Sequence, residues 1–264
     1  MTQEIALYQV DAFAERPFTG NPAAVCPLED WLPDEILQAI AMENNLAETA
    51  FIVPDGDDYK LRWFTPAIEV DLCGHATLAS GYVVSTLLEP GRERVTFHSR
   101  SGPLTVARDG ERFAMDFPAR RPTPWDALDQ VEAAIGIRPQ ALLSADKGLA
   151  VLASQAEVLA VVPNFPRIEA LPVKDGLIIT APGEDCDFVS RYFAPHAGIP
   201  EDPVTGSAHC VLTPYWAERL GKSKLTARQV SARGGQLEVE DRGERIGLTG
   251  RVAPYLEGKI RVPR

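Results

Sequence analysis

The sequence predicts an α+β protein of two similar, pseudo-symmetric domains, each a curved, mostly antiparallel sheet wrapped around a central buried helix. Three observations predict this fold: a hairpin-like segment that occurs twice, a charge-free helix that occurs twice, and strand-like runs that do not alternate regularly with helices. The 264 residues alone allow either two modest domains or one large one. The duplication favours two domains.

The repeated segment is a predicted β-hairpin. Residues 102–115 read GPLTVARDGERFAM and residues 235–248 read GQLEVEDRGERIGL, an ungapped match with six identical positions of fourteen at an offset of 133 residues. Each copy alternates apolar and polar residues on both sides of a glycine-bearing turn, which is the pattern of two antiparallel strands. Internal similarity at a fixed offset indicates that the two halves share one architecture.

A predicted helix without charges precedes each copy of the hairpin. The fourteen residues 75–88 contain no Asp, Glu, Lys or Arg, and neither does SAHCVLTPYWA at 207–217. A helix that is apolar on all sides must be buried on all sides, most simply inside a curved sheet. Pro214 is expected to bend or locally break the second helix.

The distance from helix to hairpin is nearly constant. Gly74 lies 36 residues before Gly110, and Gly206 lies 37 residues before Gly243. A shared hairpin alone is weak support for a duplication, because hairpins resemble one another. The shared helix at a shared distance extends the repeat to a whole domain.

Two amphipathic helices and a set of short strands complete the prediction. Residues 33–44 place Ile36, Leu37, Ile40 and Ala41 on one face. Residues 123–136 end on a predicted C′ glycine. The order of elements is mixed and not of the βαβ type, which indicates an α+β protein. The predicted strands read IALYQV, AAVC, AFIV, KLRWF, IEVDL and RVTFH in the first half, and LAVLA, LIIT, DFVSRYF and ARQVSA in the second.

A proline-rich segment, FPARRPTPW at 117–125, is the predicted joint between the halves. We therefore expect an N-terminal α+β domain at 1–117 and a C-terminal α+β domain at 118–251. The last strand, within 252–264, could return to either domain, and we assign it to the first.

Composition and charge argue against several classes of protein. The sequence has 45% hydrophobic and 24% charged residues, the balance of a globular protein. The start, MTQEIALYQVD, has no basic region of a secretion signal, so we expect a cytoplasmic protein. The longest charge-free run is shorter than the ~18 residues that a membrane span needs. A net charge of −11 without a Lys/Arg cluster argues against nucleic acid as a partner. The four cysteines form no C-x-x-C pair and are expected to be reduced thiols: Cys26, Cys73, Cys186 and Cys210.

The N-termini of the two buried helices are the first candidate site. The first N–H groups of a helix have no partner within it, so each N-terminus needs a cap or an anion. Asp71 could cap the first helix, and Thr205 or Ser207 the second. Alternatively, the N-termini at Gly74 and Gly206 converge on a cleft between the domains and bind a carboxylate. The residues alone leave both possibilities open.

Three side chains near these N-termini could move or orient a proton. His75 is either a satisfied core residue or an acid/base partner, since the ordinary histidine pKa is about 6.5. Glu48 lies among the apolar residues of NNLAETAFIV, either at an exposed edge or desolvated in a setting that suits general acid–base catalysis. Asp202 precedes a proline and is either a turn former or a group that orients a polar partner.

Five stretches carry a family resemblance. The sequence resembles the PhzF phenazine-biosynthesis family, whose members have the diaminopimelate-epimerase-like fold of two similar domains. The motifs occur in order at compatible spacing, from near the first residue to near the last. They are VDAFAERPFTGNPAAVC (10–26), NLAETAF (45–51), RWFTPAIEVDLCGHAT (62–77), RYFAPHAGIPEDPVTGSAH (191–209) and SARGGQL (231–237).

The resemblance implies a cofactor-independent isomerase that binds no metal. The substrate that it implies is a small carboxylate similar to trans-2,3-dihydro-3-hydroxyanthranilate, and the protein is expected to be a homodimer. Glu48 is implied to be the proton-shuttling acid/base. His75, Asp202 and Ser207 are implied to complete the polar catalytic site.

The resemblance likewise implies that amides around Gly74 and Gly206 hold the substrate carboxylate, and we add Asn21 and Cys73 to the substrate-binding set. Two alternatives stay open: an amino-acid racemase or epimerase of the same fold, and a non-catalytic protein that binds small carboxylates. The racemase mechanism needs a thiol at each helix N-terminus. Cys73 matches the first thiol, but Cys210 lies about one turn inside the second helix, so half of the required pair is missing.

Overall fold

The computed structural model describes residues 2–263 and groups them into two compact units. Unit 1 contains the residues up to Asp116 together with those from Thr249 onward. Unit 2 contains the intervening Phe117–Leu248. Unit 1 is therefore discontinuous in sequence, and the last strand of the chain completes it.

Unit 1 is a sheet around one helix, α2. Helix α2 contacts several strands of the sheet and continues into one turn of π-helix at Val84–Leu88. Its strands are β1 (Thr2–Ala12), β2 (Asn21–Pro27), β3 (Glu48–Asp55), β4 (Asp58–Phe64), β5 (Glu69–Val70), β6 (Arg94–Ser99), β7 (Gly102–Asp109) and β8 (Arg112–Pro118), and its helices are α1 (Asp34–Asn44) and α2 (Gly74–Val83).

Unit 2 has shorter peripheral elements and one long helix, α6. Its strands are β9 (Thr123–Pro124), β10 (Ala141–Ser144), β11 (Gly148–Val151), β12 (Leu177–Pro182), β13 (Phe188–Ala194), β14 (Ile199–Asp202), β15 (Lys224–Gln229) and β16 (Gly235–Asp241). Its helices are α3 (Leu128–Ile135), α4 (Gln155–Ala160), α5 (Phe165–Glu169) and α6 (Gly206–Leu220). The final strand, β17 (Arg245–Pro263), begins in unit 2 and ends in unit 1.

The strand pairing repeats between the units, as the duplicated sequence predicts. In unit 1, β2 pairs with β3 and β4 with β6 in parallel; in unit 2, β11 with β12 and β13 with β15 do the same. The other pairs whose direction is described are antiparallel, including the predicted hairpin of β7 and β8. Strand β17 pairs with β1 from Thr2↔Pro263 to Ala12↔Val252 and also with β8, so the strands of unit 1 close on themselves. The predicted α+β class is confirmed.

Both charge-free helices are buried, as their composition predicts. Almost every residue of α2 is buried, and a Cβ on Gly81 would lie 2.4 Å from a methyl carbon of Val106, so the helix and β7 are in close contact. Helix α6 continues through Pro214, so the local break that the sequence allows there does not occur. The proline has no N–H to offer the Cys210 carbonyl one turn earlier. The main-chain N–H of Arg120 donates to that carbonyl instead, at 2.9 Å.

The amphipathic helices differ in how well their ends are predicted. Helix α1 buries Leu37, Ile40 and Ala41, and α3 ends before Gly136, which is left-handed with φ of 74° as a C′ glycine should be. The sequence predicts the start of α3 too early, because Thr123–Pro124 pair with β10. Within residues 2–263, no helix combines the length and the apolar composition that crossing a membrane requires.

Candidate active site

Glu48 is the first residue of β3 and lies in the interior of unit 1. Strand β3 pairs with β2 at Ala23↔Glu48 and continues into the fully buried Ala50 and Ile52. The residue is 9% exposed. Of the two environments that the sequence allows, the structure has the desolvated one.

His75 is the second residue of α2 and faces Glu48. The His75 Nε2 atom lies 3.0 Å from Glu48 Oε2, and the histidine is only 5% exposed. The other ring nitrogen, Nδ1, lies 3.2 Å from Asn21 Nδ2 and 3.5 Å from Cys73 Sγ. The imidazole therefore has a carboxyl on one side and an amide and a thiol on the other.

The two facing atoms of this pair keep unused hydrogen-bonding capacity. Glu48 Oε2 and His75 Nε2 are close, but the contact is not aligned as a hydrogen bond, and neither atom has another hydrogen-bond partner within residues 2–263. Buried polar atoms are usually satisfied, and exceptions concentrate at functional sites. The Glu48–His75 pair is accordingly the best candidate for chemistry in unit 1.

The electrostatics of the pair favour a charged histidine and a neutral thiol. Burial opposes protonation of His75, but the neighbouring Cys73 and Glu48 side chains favour it, and the net result is a His75 pKa well above its ordinary value. Burial, and next the negative charge of Glu48, raise the pKa of the Cys73 thiol. The imidazolium therefore faces the Glu48 side chain and lies beside a thiol that keeps its hydrogen at neutral pH.

The N-terminus of α2 has no side-chain cap. Cys73 occupies the N-cap position in an extended conformation, and its side chain makes no capping hydrogen bond. Asp71, the expected cap, has a 78% exposed side chain. Thr77 bonds to the Cys73 carbonyl through both its N–H and its hydroxyl, whereas the N–H groups of Gly74 and His75 have no acceptor in the described part of the chain. Such free N–H groups, with the helix dipole, form an anion site.

The N-terminus of α6 in unit 2 is held by a buried polar network. Thr205 is the N-cap; its N–H donates to Gln229 Oε1 at 2.9 Å, and its hydroxyl donates to the Asp202 carboxylate. Gln229 Nε2 donates to the Asp202 carbonyl at 2.7 Å and to Thr205 Oγ1 at 3.1 Å. The predicted residues Gly206 and Ser207 are the first two of the helix, and Ser207 is half-buried.

Asp202 thus holds the N-cap residue of this helix. Its carboxylate receives the Thr205 hydroxyl and does not merely close a turn. Gln229, which forms hydrogen bonds with both Thr205 and Asp202, is not among the site residues that the sequence predicts. It lies on β15, between 24 and 27 residues from its partners, and no local pattern marks it.

Unit 2 has no counterpart of Glu48. Strand β12 corresponds to β3, because each pairs in parallel with the strand before it and antiparallel with the strand after it. Strand β12 begins with Leu177, which is fully buried. The duplicated fold therefore carries an acid at this strand position in unit 1 only.

Unit 2 also lacks the second thiol of a two-thiol site. Cys210 lies inside α6, where its Sγ faces the Gly206 carbonyl at 3.7 Å, and the N-cap position that matches Cys73 is Thr205. Burial raises the pKa of Cys210 to about 12. A buried thiol of this kind is a structural residue and not a base.

A metal is a further possibility for the unit 1 group. Glu48, Cys73 and His75 each offer one ligand atom, and these atoms lie within 4.8 Å of one another; they are the one such group in residues 2–263. Metal binding would require the atoms to close to coordination distances of ~2.0–2.3 Å and the Cys73 thiol to lose its proton. The raised pKa of that thiol opposes the second requirement.

His209 is a buried histidine that serves the fold. Its ring lies in the core beside Phe188, and Nδ1 contacts the Thr205 carbonyl oxygen at 2.8 Å, so Nδ1 carries the hydrogen. Burial lowers the pKa of His209 to about 4, although the Thr205 carbonyl opposes the shift. A histidine with a lowered pKa stabilises the folded state when neutral.

This histidine predicts an acid-sensitive stability. The unfolded chain binds a proton at His209 below about pH 6.5, whereas the folded protein resists protonation until about pH 4. Stability is therefore lost as the pH falls through this window, by roughly 3 kcal/mol in total. Urea unfolding at several pH values measures the slope.

Two variants isolate this contribution. His209→Asn keeps a donor for the Thr205 carbonyl and removes the titration, so its stability is expected to fall less steeply between pH 6.5 and 4. His196→Asn, at an exposed position, controls for the loss of a histidine. Equal slopes for wild type and His209→Asn would contradict the assignment.

Comparisons with known proteins agree with this architecture. The chain matches the family described as phenazine biosynthesis-like protein, PhzC-PhzF, over residues 10–258. It is 52% identical over 257 residues to an uncharacterized isomerase of Pseudomonas aeruginosa, covering 97% of this chain and 99% of that protein. A PhzF-family crystal structure from Enterococcus faecalis is 44% identical with a TM-score of 0.96, covering 98% and 99% of the two chains.

A wider likeness concerns the fold alone. A hydroxyproline epimerase from Agrobacterium vitis is 11% identical with a TM-score of 0.57, over 98% of this chain and 93% of that one. Its fold is similar to that of this chain, in agreement with the epimerase-like fold that the family resemblance implies. The family match covers nearly the whole chain, and relatives that are 52%, 50% and 41% identical to it are named isomerases. The chain is therefore an isomerase and belongs to the phenazine biosynthesis-like protein family.

Proposed function

We propose that this isomerase moves a proton between two carbons of a small cyclic carboxylate similar to trans-2,3-dihydro-3-hydroxyanthranilate. The observation that carries the proposal is the Glu48–His75 pair, two buried ionisable side chains 3.0 Å apart at the N-terminus of a buried helix. A carboxyl group in such a position can both remove and return a proton.

The N-terminus of α2 supports recognition of a carboxylate. The N–H groups of Gly74 and His75 are free to donate, and the dipole of the ten-residue helix favours an anion there. A substrate bound by these groups has its ring next to Glu48, because Glu48 contacts the second residue of the same helix. Positioning of this kind removes much of the entropic barrier to proton transfer.

The proton transfer needs a single acid/base group. The Glu48 carboxylate takes a proton from an allylic carbon, and the electron pair of the broken C–H bond becomes part of a new double bond. The electrons of the old double bond form a C–H bond at the far end of the allylic system, where the Glu48 carboxylic acid returns the proton. One hydrogen and one double bond change position, and no external reactant is consumed.

His75 is the charged partner that faces Glu48 in this proposal. The His75 pKa is raised well above its ordinary value, with burial opposing and the Cys73 and Glu48 interactions favouring the charged ring, so an imidazolium faces Glu48 at neutral pH. Asp202 and Ser207 lie at the N-terminus of α6 in unit 2, and their catalytic roles stay predictions from the sequence. All of these roles use protein groups only.

The single acid supports this mechanism over a two-thiol racemase. Glu48 has no counterpart in unit 2, and the position that matches Cys73 is occupied by Thr205. Burial also raises the pKa of the Cys73 thiol, which weakens it as a base.

Isomerisation in heavy water tests the proposal. The protein is incubated with trans-2,3-dihydro-3-hydroxyanthranilate in D₂O, and the product is analysed by NMR and mass spectrometry. We expect a shifted double bond and deuterium at one carbon, in less than full amount, because the same carboxyl group returns part of the original hydrogen before it exchanges with solvent.

Two outcomes contradict the proposal. Binding of the carboxylate without isomerisation or deuterium uptake would support the competing function, a non-catalytic carboxylate-binding protein. Inversion at a carbon next to the carboxylate with complete deuterium uptake would support a two-base racemase instead, since the second base delivers a solvent proton.

A further inference from the structure

Asn21 contacts His75 but has no part in the steps proposed so far. It is the first residue of β2 and is 0% exposed, so the folded chain covers its side chain completely. Its role in substrate binding stays a prediction from the sequence. Its Nδ2 atom lies 3.2 Å from His75 Nδ1. Glu48 faces the other nitrogen, Nε2.

Two donors are directed at the Nδ1 atom of His75. The Asn21 NH₂ group can only donate, and the Cys73 thiol, at 3.5 Å, keeps its hydrogen because burial raises its pKa. An imidazole nitrogen between two donors acts as an acceptor. The hydrogen of the neutral ring is therefore on Nε2, toward Glu48, since the partner of one ring nitrogen sets the role of the other.

We propose that Asn21 is a positioning residue that keeps His75 as an Nε2–H donor toward Glu48. The inference deepens the proposed function and rests on it for its catalytic consequence. Protonation of the ring adds a hydrogen at Nδ1 and leaves Nε2–H in place, so Nε2 donates in both charge states. His75 then orients the Glu48 carboxyl but does not take its proton, and Glu48 alone exchanges a proton with the substrate.

Asparagine suits both charge states of the ring. When Nδ1 is protonated, a half-turn of the amide presents Oδ1 as an acceptor in place of Nδ2. Leucine has a similar volume but neither group, and aspartate can only accept when ionised. Asn21→Leu therefore removes the amide, whereas Asn21→Asp is expected to force a change of the His75 tautomer.

The backbone fixes Asn21 relative to Glu48. Strands β2 and β3 are parallel neighbours paired at Ala23↔Glu48, two residues after Asn21. The His75 ring is thus held between the first residues of two adjacent strands. Substitution of Asn21 is therefore expected to change the tautomer of the His75 ring and not to destabilise the rest of unit 1.

NMR of the ¹⁵N-labelled histidine rings tests the proposal without any substrate. At a pH where His75 is neutral, the wild type is expected to have the hydrogen on Nε2. Asn21→Asp is expected to move it to Nδ1, and Asn21→Leu to give a mixture of both tautomers. His209 serves as an internal reference, because its Nδ1 faces a carbonyl oxygen and should carry the hydrogen throughout. The spectrum of His75→Gln assigns the His75 signals.

Kinetics provide the second measurement. Asn21→Leu is expected to lower kcat about 10- to 100-fold with little change in KM, the size of effect usual for a residue that orients a catalytic side chain. Asn44→Asp is the matched control for Asn21→Asp, since it adds the same charge at a half-buried asparagine whose amide bonds to Thr49. It should change neither the His75 tautomer nor the rate.

The wild-type spectrum alone can overturn the proposal. A neutral His75 with its hydrogen on Nδ1, or an Asn21→Leu protein that folds normally and keeps the wild-type tautomer, would do so. The tautomer needs no substrate, so the two proposals fail separately. Inactivity of a wild type that carries Nε2–H would contradict the proposed isomerisation and not the positioning of His75 by Asn21.

Discussion

Replacing Glu48 by glutamine is expected to lower kcat for isomerisation roughly 10³-fold, the central range for loss of a general acid–base group. Glutamine keeps the size and the hydrogen-bonding ability of the side chain but cannot carry the transferred proton. KM is expected to change little, because the proposed carboxylate contacts are main-chain N–H groups of α2. Steady-state kinetics and deuterium content of the product provide the measurement.

Two further variants control this experiment. Glu43→Gln makes the same chemical change at an exposed position of α1 and should have wild-type kinetics. Cys73→Ala removes a thiol that contacts His75 but is not the proposed base, and should lower kcat by about tenfold at most. If Cys73→Ala is inactive while Glu48→Gln retains proton exchange, the thiol is the base and the assignment of Glu48 is wrong.

Replacing Gly20 by alanine is expected to destabilise the protein by about 3 kcal/mol, the sum of backbone strain and overpacking. Gly20 has a φ of +66°, which disfavours a Cβ, and that Cβ would lie 2.2 Å from the Ala12 carbonyl oxygen. A main-chain oxygen held in β1 cannot move aside as the end of a flexible side chain can. Urea unfolding monitored by circular dichroism measures the loss.

Gly56→Ala is the matched control for this substitution. Gly56 has the same φ of +66°, but a Cβ there meets no atom within 4 Å. Gly56→Ala is therefore expected to lower the free energy of unfolding by the backbone strain alone, about 1 kcal/mol. Equal losses for the two variants would mean that the close approach to Ala12 relaxes at no cost. Since Gly20 precedes Asn21, the surviving folded fraction of Gly20→Ala should also have a disturbed His75 spectrum.

The parts of the fold that the sequence predicts are those with a local physical cause. A run of residues 75–88 without charges can be stable only inside the protein, and both such helices are buried. Gly136 ends its helix because a left-handed residue is needed there. Helices α4 and α5 are missed because each has only one buried side chain, Val158 and Ile168, too few for a periodic pattern.

The unpredicted parts of the candidate site depend on contacts between distant residues. Asn21 and His75 are separated by 54 residues, and Gln229 meets Asp202 and Thr205 across 27 and 24 residues. No spacing rule joins such positions. The sequence motifs do locate Glu48 and His75 individually, but the 3.0 Å contact and the free N–H groups at α2 follow only from the folded chain.

The discontinuity of unit 1 has a consequence for how the chain is made. Strand β1 pairs along its whole length with β17, although all of unit 2 is synthesised between them. Unit 2 is contiguous, and all of its residues are synthesised before β17 is complete. Until then the edge of β1 that pairs with β17 has no partner strand. Glu48, His75 and Asn21 all lie in unit 1, which is incomplete until β17 has been synthesised. We therefore expect activity to arise only after translation of β17, as a late, post-synthetic step limited by a contact of very long sequence separation.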